Sequence, residues 1–214
     1  PGVAQGVTVS GTHAYVADYG SGLQVVDVSD PQFPVIVGSA DTPRFALGVA
    51  VSATHAFVAD EESGLQIFDI TNPESPKTTG SVQPIIFARD VAASGTHAYV
   101  AGSYDGVQVI DIADPQRPQI VGSAATPGLA SGIAVSGTHA YVADGSSGLR
   151  VFDITNPASP VIVGIVDAAD RRSAVAALVD RGHFVMELVE KGHEHAPAAG
   201  ESGNRLRPRR GGLE

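Results

Sequence analysis

The chain repeats itself every 42 residues, and that period constrains its fold more than any other feature. His13, His55, His97 and His139 keep the step, and so do Asp27, Asp69, Asp111 and Asp153. Gly22, Gly64, Gly106 and Gly148 follow it, as do Pro31, Pro73, Pro115 and Pro157, and Gly38, Gly80, Gly122 and Gly164. Four copies fill residues 1–42, 43–84, 85–126 and 127–168 without an insertion. A period of about 40–45 residues built from short β runs is the signature of a propeller blade. Such a unit contacts only its neighbours and relies on stacking for stability.

Each copy reads as four strands. In the first, Gln5 to Ser10 is a strand of small residues, followed by a Gly11-Thr12 turn. His13 to Asp18 is the second strand, and Leu23 to Val28, rich in β-branched residues, is the third. Asp30-Pro31 and Pro34 bracket a loop, because proline cannot sit in a central strand. Val35 to Ser39 is the fourth strand. Short connections predict an antiparallel meander, and the fold class is an all-β propeller of four such blades. Side chains alternate, so Val25 and Asp27 face one neighbour and Val26 and Val28 the other. Gly6, Gly48 and Gly132 open the first strand, where blades crowd at the axis, and Ala50, Ala92 and Ala134 suit a narrow channel wall.

The run from Ala14 to Pro43 resembles the LVIVD repeat of bacterial and archaeal surface-type propellers. The naming pentapeptide stands as Leu23–Asp27 (LQVVD), Leu65–Asp69 (LQIFD), Val107–Asp111 (VQVID) and Leu149–Asp153 (LRVFD). The resemblance covers residues 1–168 and implies a propeller, often exported or cell-surface. It implies no catalytic residue, because the family is defined by structural positions.

Charge separates the repeats from the C-terminal segment. Residues 1–168 carry 5 Lys+Arg against 16 Asp+Glu, whereas 169–214 carry 8 against 7. A net charge of −10 argues against general nucleic-acid binding, which needs a basic surface. No apolar run reaches the ~18 residues of a membrane helix. With no cysteine, disulfides and thiolate chemistry are excluded. Pro1-Gly2 matches Pro127-Gly128, so the sequence opens at a repeat boundary without a leader and reads as a piece of a longer array. Residues 169–191 are expected to form a degenerate fifth blade, with a Val175–Val179 and His183–Leu188 hairpin, or a short helix from Ala174 to Leu178 packed on the last blade. Residues 192–214, with Arg205, Arg207, Arg209 and Arg210, read as a disordered tail, and 169–214 as a whole reads as either native or a frameshifted repeat.

The repeated polar residues invite a chemical reading. Four histidines on a ring suggest a metal, but perfect repetition is what a turn or packing role predicts, and ligand nitrogens must lie within ~2.1 Å of one ion. Asp27, Asp69, Asp111 and Asp153 sit in an apolar strand, so burial with backbone N–H partners is expected. His193 and His195 form a His-x-His pair in the tail.

Variation is more informative. The turns Ser10–His13, Ser52–His55, Ser94–His97 and Ser136–His139 barely change. The loops on the opposite face do change: Asp18-Tyr19, Asp60-Glu61-Glu62, Tyr104-Asp105 with Gly102 in place of the repeated acid, and Asp144. A site for an asymmetric ligand should break the repetition. In the third copy Arg89-Asp90 replaces the Leu47-Gly48 step, and Gln5, Leu47, Arg89 and Ser131 are equivalent positions at the channel mouth. Arg89 is read either as a grip for an anionic group or as a partner of Asp90. The acidic face suggests a cationic partner or Ca²⁺, although no Asp-x-Asp-x-Asp-Gly loop exists.

These residues point to a non-catalytic binding or scaffold module without a cofactor, whose varied face meets a protein or surface polymer in an extracellular setting. One rival is a structural module that self-associates through open blade edges. Another is a propeller hydrolase with a channel metal, for which the channel strands offer only Ala, Val, Gly and Ser.

Overall fold

A computed structural model describes residues 2–83, 85 and 87–166. The expectations for 169–191 and 192–214 lie outside the described residues. The four repeats form four separate four-stranded antiparallel sheets. The first holds β1 (Gly6–Ser10), β2 (His13–Ala17), β3 (Leu23–Asp27) and β4 (Val35–Ala40). The second holds β5 (Gly48–Val51), β6 (His55–Ala59), β7 (Leu65–Asp69) and β8 (Lys77–Val82). The third holds β9 (Asp90–Ser94), β10 (His97–Ala101), β11 (Val107–Asp111) and β12 (Gln119–Ala124). The fourth holds β13 (Gly132–Ser136), β14 (His139–Ala143), β15 (Leu149–Asp153) and β16 (Val161–Val166). One 3₁₀ turn, Gly145–Ser147, is the sole helical element among the described residues.

The inner strands stack in chain order, β1 on β5, β5 on β9 and β9 on β13. The sheets do not close into a ring, so the described residues form a propeller-like arc. Each sheet carries the same bulge. Val25 pairs with Gly38 but Val26 with Ile36, and the same shift recurs in the other three blades. The extra residue leaves Val37 on the inward side of β4, where it packs beside the core that blade 1 shares with blade 2.

The core lies between blades, never within one. Tyr15, Ala17, Leu23 and Val25 of blade 1 meet Val49, Val58, Phe68 and Ile70 of blade 2. Phe57, Leu65 and Ile67 meet Val91, Val100, Ile110 and Ile112 in the second joint. Tyr99, Val107 and Val109 meet Ile133, Val142, Phe152 and Ile154 in the third. This is the alternation expected for Val25 and Val26, with one set of side chains facing each neighbour. Ala134 is exposed, and Ala50 and Ala92 pack half-buried against these joints. Their small size lets adjacent inner strands approach.

The repeated Gly and Pro are two halves of one contact. A Cβ on Gly38 would lie 2.1 Å from the carbonyl oxygen of Pro73 in the next blade. Gly80 meets Pro115 at 2.2 Å and Gly122 meets Pro157 at 2.1 Å in the same way. The proline loop of blades 2, 3 and 4 therefore rests on bare backbone in the fourth strand of the blade before it.

Candidate functional site

The two ends of every blade differ in what holds them. At the base, each histidine pairs directly across the strands with its aspartate, His13 with Asp27, His55 with Asp69, His97 with Asp111 and His139 with Asp153. The preceding threonine hydroxyl lies 2.9–3.3 Å from each histidine Nδ1. Each aspartate Oδ1 accepts the backbone N–H two residues on, at 2.8–2.9 Å. The backbone partner is the expected one, but burial is not. These carboxylates sit at the last strand position, half-exposed, and close a turn. The N–H and hydroxyl donors of residues 29, 71 and 155 pull the Asp27, Asp69 and Asp153 carboxyls below their usual range. Among the described residues no three His, Asp or Glu side chains converge as a metal site requires.

The other end, the rim, joins the blades. Asp18, Asp60 and Asp144 are buried, and each takes the backbone N–H of the linker entering its own blade. Gly2 donates to Asp18 at 2.8 Å, Arg44 to Asp60 at 3.0 Å and Gly128 to Asp144 at 3.0 Å. These three residues of the varied loops are thus internal ties and offer no surface to a partner. Burial pushes the Asp60 carboxyl up, while the Thr42 hydroxyl, the Arg44 N–H and Ser63 oppose it. Asp60 Oδ1 and Thr42 Oγ1 nevertheless lack a well-aligned hydrogen bond, as do Asp144 Oδ1 and Thr126 Oγ1. Asp144 also meets Arg150, the blade-4 counterpart of Gln24, Gln66 and Gln108, at 3.5 Å.

Blade 3 lacks this tie altogether. Gly102 replaces the aspartate, Pro84 stands where Thr42 and Thr126 do, and Ile85 replaces Pro43 and Pro127. Ile85 is buried in the second joint, and its Cγ2 would lie 3.2 Å from a Cβ on Gly102. An apolar plug has taken the place of a carboxylate. The joint loss of Thr and Asp from one repeat was the sequence signal that these aspartates have partners inside the fold.

Beyond the ties, the rim loops cross from blade to blade. Tyr19, Glu61 and Ser103 form β-bridges to Ala46, Ala88 and Ala130 of the following linker. All three adopt positive φ, between 45° and 51°. Tyr19 stacks on Phe45 with centroids 4.1 Å apart. Glu62 reaches Arg44 at 3.5 Å, an exposed pair worth little. Tyr104 is exposed and Asp105 half-buried. Tyr19, Glu62 and Tyr104 are therefore the exposed part of the varied face, with Glu61 and Asp105 half-buried beside them in sequence.

At the axis on this same end lies a cavity of about 380 Å³, lined by Gln5, Gly6, Val7, Leu47, Val49, Arg89, Asp90 and Ser131. The four positions equivalent by repeat, Gln5, Leu47, Arg89 and Ser131, come together here. Arg89 is exposed and forms no ion pair with a described residue, Asp90 included. Asp90 has another task. Its Oδ1 accepts from its neighbour Val91 N–H at 2.9 Å, and its Oδ2 from Ile133 N–H of blade 4, also at 2.9 Å. Burial raises its carboxyl above the usual range against the pull of these two donors. A Cβ on Gly48 would lie 2.6 Å from the Cα of Asp90, so crowding at the axis is real. Ser131 Oγ donates to the Ala143 carbonyl at 3.2 Å.

The LVIVD repeat profile matches residues 1–42, 43–83, 87–126 and 127–168. The chain belongs to the LVIVD repeat family. Repeats of this family are typical of surface and extracellular proteins in general. No curated protein matches the chain significantly. The fold is similar to two computationally designed proteins. The Ika8 protein matches with a TM-score of 0.62 at 10% identity, over 77% of this chain and 49% of that one. The Ika4 protein matches with a TM-score of 0.59 at 8% identity, over 71% of this chain and 91% of that one. The LVIVD chain thus spans about half the length of Ika8. No helix among its described residues is long and apolar enough to cross a membrane.

Proposed function

We propose that this LVIVD arc is a non-catalytic binding module of an extracellular or cell-surface protein. Its rim end meets a protein or surface polymer. The observation that carries the reading is that two ends of one scaffold diverge. The base is the same four times over, while the rim differs in every blade and surrounds the axial cavity. Tyr19 and Tyr104 supply apolar area with a polar tip, the residue type favoured at interfaces. Glu61 and Glu62 favour a cationic partner, and Arg89 supplies one anion-binding point in the cavity. Of the other polar groups there, Asp90 and Ser131 are engaged with backbone.

The test is capture from a cell-surface extract on immobilised protein. Replacing Glu61, Glu62 and Arg89 together by Ala should abolish capture and leave the melting temperature unchanged. Capture that survives the triple replacement would remove the rim from the reading.

A further inference from the structure

The two end faces of the arc carry the halves of a joint that the chain already builds three times. In blade 1, Val7 is 66% exposed, whereas its equivalents Val49, Val91 and Ile133 are 7%, 4% and 8% exposed. Val9 and Ile36 on the same face are 63% and 58% exposed. At the other end, Ala143 is exposed and Leu149 half-buried, where their equivalents in blades 1 to 3 are fully buried. Val163, the bulge residue of β16, is 49% exposed. None of these residues is charged.

We propose that these faces dock on each other between two copies of the chain, head to tail, through the joint that holds the arc's own blades together. Blade 4 of one copy then stands to blade 1 of the other as blade 1 stands to blade 2. Leu149 and Val163 receive Val7, Val9 and Val26, and Pro31 of the second copy comes to rest on Gly164 of the first. This reading does not depend on the rim proposal.

Two observations favour a second copy as occupant. The matching surface is present on this chain, residue for residue, and continues an interface already formed three times. The sequence beyond residue 168 departs from the repeat: Ala199 stands where the next docking proline would be. A head-to-tail contact closes a ring when its rotation allows and otherwise runs on as a filament. The new joint is weaker than the internal ones, because Val26 offers less volume than Phe68, Ile110 or Phe152 at the same position. Association should therefore depend on concentration. It should also strengthen with salt, because each copy carries a net charge of −10.

The experiment is sedimentation velocity of the 1–214 chain over a concentration series, for wild type, Gly164→Leu and Val7→Arg. The expected result is a dimer for wild type and a monomer for each variant, with the dissociation constant raised about 100-fold or more by a charge or side chain forced into the joint. Circular dichroism and melting of the variants should match the dissociated wild type. An equimolar mixture of the two variants should regain a dimer, since one intact face remains on each. Should Gly164→Leu fail to fold, Val9→Arg mixed with Leu149→Glu gives the same readout. A wild type that stays monomeric at every concentration overturns the proposal. So do oligomers that persist in both variants, as pairing through the outer strand edges would give.

Discussion

The base and the rim of each blade use the same residue type, aspartate, in opposite ways. At the base, Asp69 binds an N–H two residues away and stays half-exposed. At the rim, Asp60 is fully buried and binds an N–H sixteen residues away, on the linker that enters its blade. The base is therefore local turn chemistry, which each copy completes for itself and has no reason to alter. The rim fastens separate pieces of chain, and a copy can change it when a compensating group is at hand. Blade 3 shows such a change, with Gly102 and Ile85 in place of carboxylate and proline.

The sharpest way to break the comparison is to restore the acid to blade 3. Gly102→Asp should cost about 3–5 kcal/mol, because the new carboxylate is buried against Ile85 without a partner. Adding Pro84→Thr and Ile85→Pro should recover much of that loss in chemical denaturation. A triple variant no better than the single one would mean that Thr, Pro and Asp do not act as a unit.

Next in size is removal of one tie. Asp60→Ala should lower stability by about 1–3 kcal/mol, since the Arg44 N–H loses its charged acceptor in a part-buried bond. Asp69→Ala at the base should cost less, because water replaces the lost carboxylate. Equal losses in urea unfolding would erase the distinction between the two ends.

The smallest effect is on pH dependence, where the two groups of acids pull in opposite directions. Asp60 and Asp90 have carboxyls raised by burial. Their contribution is present below the ordinary value of 3.8 and is lost as pH rises through the raised values. Asp27, Asp69 and Asp153 are lowered. Theirs is present above 3.8 and is lost as pH falls through the lowered values. Asp60→Asn with Asp90→Asn should leave a protein whose stability falls on acidification and no longer declines as pH rises above 4. Unfolding midpoints from about pH 2 to 7 check this, and an unaltered profile would count against burial as the cause.

Much of the fold was legible because strand, turn and glycine positions repeat with one fixed step. The four-strand blade and the facing of Val25 and Val26 follow from that alone. The convergence of Gln5, Leu47, Arg89 and Ser131 on one cavity was also legible, since equivalent positions at strand starts must meet at an axis. Three things were not. Asp27 was expected to be buried because its strand is apolar, but it is the last residue of that strand. Asp18, Asp60 and Asp144 read as loop residues because their partners are backbone N–H groups, and the one trace of those partners in the sequence is the joint loss of Thr and Asp from blade 3. The Gly38–Pro73 contact joins different offsets of neighbouring repeats, and a period shows equivalence, not adjacency.

That contact also bears on how such a chain can change over generations. Every joint is built from one repeat's glycine and the next repeat's proline, so any two repeats meet by the same rule whatever their original order. Loss of residues 43–84 by unequal recombination would bring Gly38 opposite Pro115 with the seam intact. Blade number is then free to drift in whole units.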